Sequence, residues 1–417
     1  MGRNRCTGGY RGGARASVGR PAAGLAGAPA RGLRGRVRPA RRVRPAHLHS
    51  SAPRLRPKTR LGGRARGHHA PGPRPRSRGH PGRAGRARGV PRRPRRPGRR
   101  RPGCRGPVVV TARIGLVGLE TSHPGSFVPL LRDLGHEVSV VLDPGELRGA
   151  AHAARFAREH GVARVGRDLE DVAGNCDVAI LLGTDWDRHL AQVTSLRAAG
   201  VAVLVDKPVA GSAGDLRALA AAAAAGERGE GPPVTGGSSL RTAPEARAWR
   251  GRGQRALSVR TGCTGHPLYY GVHATSLAVG LLGDGLVAAR ATGTDPGVLA
   301  GELRHADGAT IVVEVPRRPV GAPFRAEVRT AVGGVDVIEP AGAGLYRPFL
   351  AVCLEHLTGR GPAPAGPRGL VEPELAVLAI AWSAAADTPG AWVDLDEVPD
   401  EWQPWAGAAF TGEYRPR

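Results

Sequence analysis

The residue whose type and position most clearly suggest chemistry is a single lysine, Lys207. It is the only lysine after Lys58, in a chain that otherwise uses arginine for positive charge. It follows the apolar run Val201–Val205 and precedes Pro208. A lysine offers a compact ammonium with a tunable pKa, whereas arginine offers a fixed guanidinium fork. We therefore predict a functional role for Lys207; the alternative is an incidental lysine whose stem packs on a sheet edge.

A second chemical feature is the loop that begins at Gly118. A dinucleotide fingerprint has the form G-x-G-x-x-G, but Glu120 and His123 stand where its second and third glycines would be. A carboxylate there repels phosphate unless it points outward or is paired. Thr121 and Ser122 can still donate hydrogen bonds at a helix N-terminus, which attracts anions. On this motif alone, the loop gives only weak support for nucleotide binding.

Alternating strand and helix patterns surround these residues. The strand-like runs are Arg113–Val117, Val138–Leu142, Val178–Leu182 and Val201–Val205. Helical patterns follow them at about 124–134, 150–160, 187–199 and 215–225. Such alternation implies right-handed βαβ units, and runs that are apolar throughout fit burial on both faces. We predict an N-terminal Rossmann-like, doubly wound parallel sheet.

The ligand of such a sheet lies beyond the carboxyl ends of its strands. The segments at that edge supply the predicted cofactor-binding residues, which are Gly118, Leu119, Thr121, Ser122, His123, Gly183, Thr184, His189 and Lys207. Asp143, 25 residues after Gly118, is placed to bind the hydroxyls of an adenosine ribose, which favours NAD over NADP. The alternative is that Asp143 is only a turn residue before Pro144.

The pattern changes from residue 256 onward to strand-like runs joined by short turns. The runs are Leu257–Thr261, Leu286–Thr294, Val298–His305, Thr310–Val315, Ala326–Val332 and Val335–Glu339. Paired runs with glycine-containing turns indicate antiparallel hairpins. Helical patterns follow at Phe349–Leu357 and Pro373–Ala386, with a Pro/Gly loop at 359–369 between them. We predict a C-terminal α+β domain with a large, mostly antiparallel open sheet. The predicted domains are 108–235 and 236–395, with a tail at 396–417.

The formal charge of +26 comes from residues 1–107, which hold 31 Arg, Lys58 and no acidic residue. The remainder has 29 basic and 35 acidic residues. One sign of charge and few apolar side chains predict a segment that does not fold. We interpret it as GC-rich DNA read through from a start placed too far upstream, with Val108, Val109 or Val110 as a non-Met start. The alternative is a nucleic-acid arm, which predicts salt-sensitive DNA binding that is lost when residues 1–107 are removed.

Other function classes find little support in the sequence. No apolar stretch has the length of a signal peptide or of a bilayer span. The five cysteines show no paired or metal-like spacing, which indicates reduced thiols in a cytoplasmic protein. We therefore expect a small-molecule substrate, and neither a metal, a membrane nor a specific nucleic acid as partner.

The order and spacing of several short motifs resemble those of the Gfo/Idh/MocA oxidoreductase family. In chain order, the motifs are Asp177–Leu182 with His189 ("DaVvIatp…H"), Val201–Val209 ("aGkhVlvEKPla"), Arg241 with Pro244 ("Rf.P") and Tyr269–His273 ("D.G.H"). The resemblance covers nearly all of 112–395. No single motif is diagnostic, but their order is fairly specific.

This resemblance implies an NAD(P)-dependent oxidoreductase that transfers a hydride to or from a carbinol or carbonyl of a sugar, polyol or related small molecule. It implies that Lys207 lies near the nicotinamide and that His273 is the acid/base. An imidazole that titrates near neutrality suits removal of a hydroxyl proton, and an ammonium suits a developing alkoxide. The candidate substrate contacts are Asp185, Arg241 and Tyr270. The open sheet of the family implies a homodimer or higher homo-oligomer.

Several positions depart from the family pattern. The usual aspartate four residues before the histidine is Tyr269, the acidic residue often found three after it is Ser276, and the EKP glutamate is Asp206. Without the resemblance, His273 could equally cap or pack an apolar helix. Together with Glu120, these departures keep an alternative open, namely a non-catalytic ligand-binding or regulatory protein that retains the oxidoreductase fold.

Overall fold

The computed structural model describes residues 111–143, 147–149, 151–318, 321 and 323–415. The predicted unfolded segment at 1–107 and the proposed start at 108–110 lie outside the described residues. Within the described part of the chain, no helix combines the length and the apolar character needed to cross a bilayer.

Six parallel strands form the first sheet. They are β1 (Arg113–Val117), β2 (Glu137–Leu142), β3 (Arg164–Val165), β4 (Val178–Leu181), β5 (Ala202–Asp206) and β6 (Val234–Gly237). Their order in space is β3-β2-β1-β4-β5-β6, which places a topological switch point between β1 and β4. Strands β4, β5 and β6 are buried along their whole length, which explains the apolar sequences of β4 and of β5 up to Val205. The predicted Rossmann-like sheet is confirmed.

Five helices connect these strands. They are α1 (His123–Asp133), α2 (His152–Glu159), α3 (Leu169–Ala173), α4 (His189–Ala198) and α5 (Ala213–Glu227), with a 3-10 turn at Trp186–Arg188 before α4. Helix α5 is rich in alanine, and the Ser212 hydroxyl caps it by accepting a hydrogen bond from the Asp215 N–H at 3.1 Å. The sequence did not predict β3, α3 or β6, because elements of two to five residues are too short to show a period.

The second sheet has seven strands. They are β7 (Ala256–Gly262), β8 (Leu286–Ala291), β9 (Val298–His305), β10 (Thr310–Pro316), β11 (Arg325–Thr330), β12 (Val335–Ile338) and β13 (Val393–Asp394), in the order β12-β11-β7-β10-β9-β8-β13. Every neighbouring pair is antiparallel except β10 with β7, which is parallel. The predicted, mostly antiparallel sheet is confirmed.

The remaining helices are α6 (Pro244–Arg250), α7 (Pro267–Leu282), α8 (Tyr346–Leu357), α9 (Pro367–Ala385) and α10 (Gly407–Glu413). Helices α7 and α9 are buried on nearly all sides and pack against each other and against the second sheet. Helix α9 begins six residues before the predicted start at Pro373, so the loop expected at 359–369 is shorter. Strand β6 continues two residues past the domain boundary predicted at 235, and the other domain bounds stay a proposal.

Candidate active site

A cavity of about 170 Å³ lies between the carboxyl ends of the parallel strands and α7. It brings together six of the predicted site residues, which are Thr121, Ser122, His123, Lys207, Tyr270 and His273. The rest of its lining, which the sequence did not single out as a site, is Ser239, Leu240, Tyr269, Phe324, Leu345, Tyr346 and Tyr414. The lysine and the histidine predicted to be catalytic therefore face one cavity.

Lys207 follows β5 directly and is only 3% exposed. Its Nζ lies 3.2 Å from the centroid of the Tyr269 ring, a cation–π contact. Burial lowers the pKa of Lys207 to about 8, although the neighbouring Asp206 carboxylate acts in the opposite direction. The side chain is therefore an ammonium at neutral pH, held against an aromatic face instead of in water.

His273 lies in the second turn of α7 and lines the same cavity. Its Nδ1 lies 2.7 Å from the Ser238 hydroxyl oxygen, and its ring packs against Phe324. Burial lowers the pKa of His273 well below its ordinary value, and the positive charges of Lys207 and His123 lower it further. The imidazole is therefore neutral at physiological pH and suited to hydrogen bonding.

Tyr269 occupies the position of the family's aspartate and forms the wall behind Lys207. Its ring stacks on Phe410 at 4.5 Å between centroids and lies near Trp186. Burial raises the pKa of Tyr269 well above its usual value, so the phenol keeps its proton. An aromatic wall lies where the family pattern has a carboxylate, and it excludes water from the lysine.

An imidazole–carboxylate pair crosses the edge of the first sheet. His123 begins α1, and its Nδ1 lies 2.6 Å from Oδ2 of Asp206 at the end of β5. Burial alone would raise the pKa of Asp206, but the charge and hydrogen bond of His123, aided by Lys207, bring it below its usual value. Asp206 therefore remains ionised. The sequence placed His123 among the cofactor-binding residues and gave no signal of this pair, whose members are 83 residues apart.

The turn after β1 is held tightly at the switch point. Gly118 has a φ of +87°, and a Cβ there would lie 2.5 Å from the backbone nitrogen of Gly183, so the turns after β1 and β4 touch. Glu120, in the second-glycine position, is 3% exposed, and its carbonyl accepts hydrogen bonds from the Arg148 guanidinium at 3.0 and 3.1 Å. Ser122 is exposed beside it at the N-terminus of α1.

Three other predicted cofactor-binding residues lie near this edge but outside the cavity. Leu119 is buried in the core of the first sheet. Thr184 is fully buried, and its hydroxyl lies 3.0 Å from that of Thr411 in α10. The His189 Nδ1 lies 3.1 and 3.2 Å from the carbonyl oxygens of residues 208 and 209, so this imidazole supports the turn that carries Lys207.

Two predicted substrate contacts are not brought to the cavity. Asp185 caps the 3-10 turn before α4 and pairs with Arg188 at 3.2 Å. The Arg241 guanidinium pairs with Asp284 at 2.8 Å and donates to the carbonyl of Gly369. That carbonyl lacks its usual helical partner, because residue 373 is a proline without an N–H. Both side chains therefore have local structural contacts.

The residues at the sheet edge fit a nicotinamide dinucleotide in three respects. Asp143 follows β2 at the position expected for a ribose contact. The N-terminus of α1 presents the exposed Ser122 hydroxyl to an anion. Lys207 lines the cavity together with Ser122. The buried carboxylate of Glu120 is the departure from the usual donor set.

Comparison with known proteins agrees with the fold. Residues 112–228 match the family model GFO_IDH_MocA, described as an oxidoreductase family with an NAD-binding Rossmann fold. The chain is 35% identical over 103 residues to trans-1,2-dihydrobenzene-1,2-diol dehydrogenase of Oryctolagus cuniculus, covering 24% of this chain and 30% of the relative. It is 31% identical over 139 residues to 1,5-anhydro-D-fructose reductase of Ensifer adhaerens, covering 33% and 39%. The alignments thus span less than half of either curated relative.

A solved structure extends the likeness to both sheets. An oxidoreductase from Agrobacterium radiobacter, in complex with NAD+, L-tartaric acid and magnesium, superposes with a TM-score of 0.56. The superposition covers 69% of this chain and 99% of that one at 17% identity, which shows a shared fold. The family resemblance seen in the sequence is confirmed: residues 112–228 match the model of the Gfo/Idh/MocA oxidoreductase family.

Proposed function

We propose that this protein is an NAD(P)-dependent oxidoreductase that acts on a carbinol or carbonyl of a sugar, polyol or related small molecule. The observation that carries the proposal is the placement of Lys207 and His273 in one cavity. Lys207 follows β5 of the first sheet, whereas His273 lies on α7, which packs against the second sheet. The cavity lies where ligands of doubly wound sheets bind, at the carboxyl ends of the strands.

A nicotinamide dinucleotide, when bound, would supply the hydride acceptor or donor. The residues that would hold it are Gly118, Thr121, Ser122, Asp143 and Gly183, and Asp143 favours NAD over NADP. The Lys207 ammonium would stabilise negative charge on the substrate oxygen, because it is protonated below about pH 8 and is shielded from water. His273 and Tyr270 would orient the substrate hydroxyl by hydrogen bonds.

The substrate would reach this cavity through a wider groove. The groove has a volume of about 620 Å³ and shares Ser122, Tyr270 and Tyr414 with the cavity. The names of the two curated relatives, a diol dehydrogenase and an anhydrosugar reductase, support a small oxygenated substrate. The open second sheet would form the contact of a homo-oligomer.

The first test is calorimetric titration of the full chain with NAD, NADH, NADP and NADPH. We expect one oxidised and reduced pair to bind, and the absorbance of the reduced nicotinamide to change in the presence of a member of a panel of sugars and polyols. Glu120→Gln should tighten dinucleotide binding on the order of tenfold, because it replaces a carboxyl group near the phosphate site with a neutral amide. Asp143→Asn, a matched carboxylate-to-amide change at the ribose end, should instead weaken binding of NAD.

A non-catalytic ligand-binding protein is the second candidate. It is favoured by the burial of Glu120 in the fingerprint turn and by the cover that α10 places over Thr184. A folded chain that binds none of the four dinucleotides, with or without Glu120→Gln, would establish this candidate over the oxidoreductase.

A further inference from the structure

His123 has the surroundings of a catalytic imidazole, although its sequence position is that of a phosphate-loop glycine. Its Nδ1 is fixed by the Asp206 carboxylate at 2.6 Å, and the Asp206 side chain is 6% exposed. Its ring stacks on Phe127 with an interplanar angle of 13° and meets the edge of Tyr346. These contacts leave the ring one orientation, and no other described residue hydrogen-bonds to its Nε2.

The His123 side chain belongs to the same cavity as the predicted catalytic residues. His123 lines the same 170 Å³ cavity as Lys207 and His273, and its side chain is 12% exposed. An imidazole at a cavity wall, with one nitrogen on a carboxylate and the other without a hydrogen bond to a described residue, has the arrangement of a general acid/base, because the carboxylate fixes the tautomer and stabilises the imidazolium.

His273 lacks this arrangement. Its Nδ1 partner is the hydroxyl of Ser238, which carries no charge, and burial keeps the pKa of His273 well below its ordinary value. The residue four positions earlier, Tyr269, contacts Lys207 and not the imidazole of His273. His273 can therefore hold a substrate hydroxyl, but it binds a proton poorly.

We propose that His123, positioned by Asp206, is the acid/base of the reaction. The inference rests on the proposed function. As a carbinol is oxidised, its O–H proton would pass to Nε2 of His123 while the carbon–oxygen double bond forms. A bound nicotinamide dinucleotide would accept the hydride that the same carbon releases. Asp206 stays ionised throughout, and Lys207 stabilises the oxygen while the proton leaves. In the reducing direction, the imidazolium returns the proton.

The pair can be tested without a substrate. Proton nuclear magnetic resonance of the full chain should show a far-downfield imidazole N–H signal from the short His123–Asp206 hydrogen bond. The signal should disappear in His123→Gln and Asp206→Asn and persist in His273→Asn. A signal that survives Asp206→Asn, or that is absent from a folded wild-type chain, would overturn the pairing.

The catalytic role is tested on a sugar or polyol that the wild-type chain turns over. His123→Gly should lower kcat by about a hundredfold or more with dinucleotide affinity within a few-fold, and imidazole in the medium should restore part of the loss. A single general base makes kcat rise with pH. We expect this rise to vanish in His123→Gly and to persist in His273→Asn. His356→Ala, a histidine change at the far end of α8, serves as the control and should behave as wild type.

The outcomes separate the two proposals. Turnover by the wild type with full activity in His123→Gly would reject the catalytic role of His123 and leave the oxidoreductase intact. A wild type that binds no dinucleotide and turns over no member of the panel would overturn the oxidoreductase and, with it, the catalytic role, whatever the magnetic resonance shows of the pair.

Discussion

The Lys207 ammonium lies against the Tyr269 ring and is almost fully buried. Burial lowers the pKa of Lys207 from its ordinary 10.5 to about 8. Between these two values the unfolded chain binds more protons than the folded chain, so the free energy of unfolding rises with pH through this window. Below about pH 8 both states are protonated, and the folded state retains the full cost of the buried charge, on the order of 3 kcal/mol.

Lys207→Met should therefore stabilise the protein while it removes activity. Methionine keeps the apolar contact with Tyr269 and removes the charge, so we expect the free energy of unfolding at pH 7 to rise by about 1–3 kcal/mol. Turnover should fall by about a hundredfold or more, because the oxygen loses its cation. Urea denaturation at pH 7 and pH 10 is the measurement, and the gain should shrink at pH 10. A loss of stability at pH 7 would contradict this account.

At the residue scale, the sequence predicts isolated chemical groups better than pairs. Lys207 was predicted because its type is rare in this chain and because it follows a buried strand. The hydrogen bond between His123 and Asp206 could not be predicted from the sequence, because it depends on the close approach of β5 to the N-terminus of α1. Nor does a sequence show that Arg241 contacts a carbonyl that a proline leaves without a partner.

At the element scale, helix α9 carries two buried carboxylates beneath the site. Oε1 of Glu374 accepts a hydrogen bond from the Val209 N–H at 3.1 Å, two residues beyond Lys207, and Glu372 accepts from the Gly285 N–H. Burial raises the pKa of Glu374 to about 7, against the lowering effect of the Val209 hydrogen bond. Because the folded pKa is raised, the folded chain binds more protons than the unfolded chain between about pH 4.5 and 7.

Glu374→Gln should remove this pH dependence. The stability contribution of Glu374 is full below pH 4.5 and is lost as pH rises to about 7. The amide oxygen can still accept from Val209, so we expect the variant to gain on the order of 2–3 kcal/mol over wild type at pH 8 and little at pH 5. Urea denaturation at both values measures the difference. Equal effects at pH 5 and pH 8 would show that Glu374 does not titrate in this range.

The elements themselves were predicted where they are long and periodic. Strands β1, β2, β4 and β5 lie within one or two residues of the predicted runs, since burial on both faces makes their sequences continuously apolar. Helix α9 was placed too late, because its first two turns contain Pro367, Gly369 and Pro373, residues that are typical of loops. Its burial against α7 stabilises a helix there in spite of composition.

At the scale of the whole molecule, helix α10 near the C-terminus contacts residues from both halves of the site. These residues follow β4 of the first sheet or lie on α7, which packs against the second sheet. The Gly407 N–H donates to Asp187 at 2.8 Å, and Thr411 contacts Thr184 after β4. Phe410 of the same helix stacks on Tyr269 of α7, so α10 supports the wall that holds Lys207. The sequence predicted only a tail at 396–417, because a seven-residue helix with three glycines or threonines shows no apolar period.

Phe410→Ala should therefore affect both stability and the site. Phe410 is 8% exposed, and removing such a ring typically costs about 3–5 kcal/mol, which urea denaturation would measure. The loss should leave Tyr269 without its stacking partner and let water reach Lys207, whose pKa then rises toward its ordinary value. We expect the fall of turnover above about pH 8 to move to higher pH. Phe156→Ala, at a similarly buried phenylalanine in α2, is the matched control. It should lower stability without changing the pH at which turnover falls. If both variants lose stability and neither changes the pH at which turnover falls, α10 contributes packing alone, and the pKa of Lys207 does not depend on it.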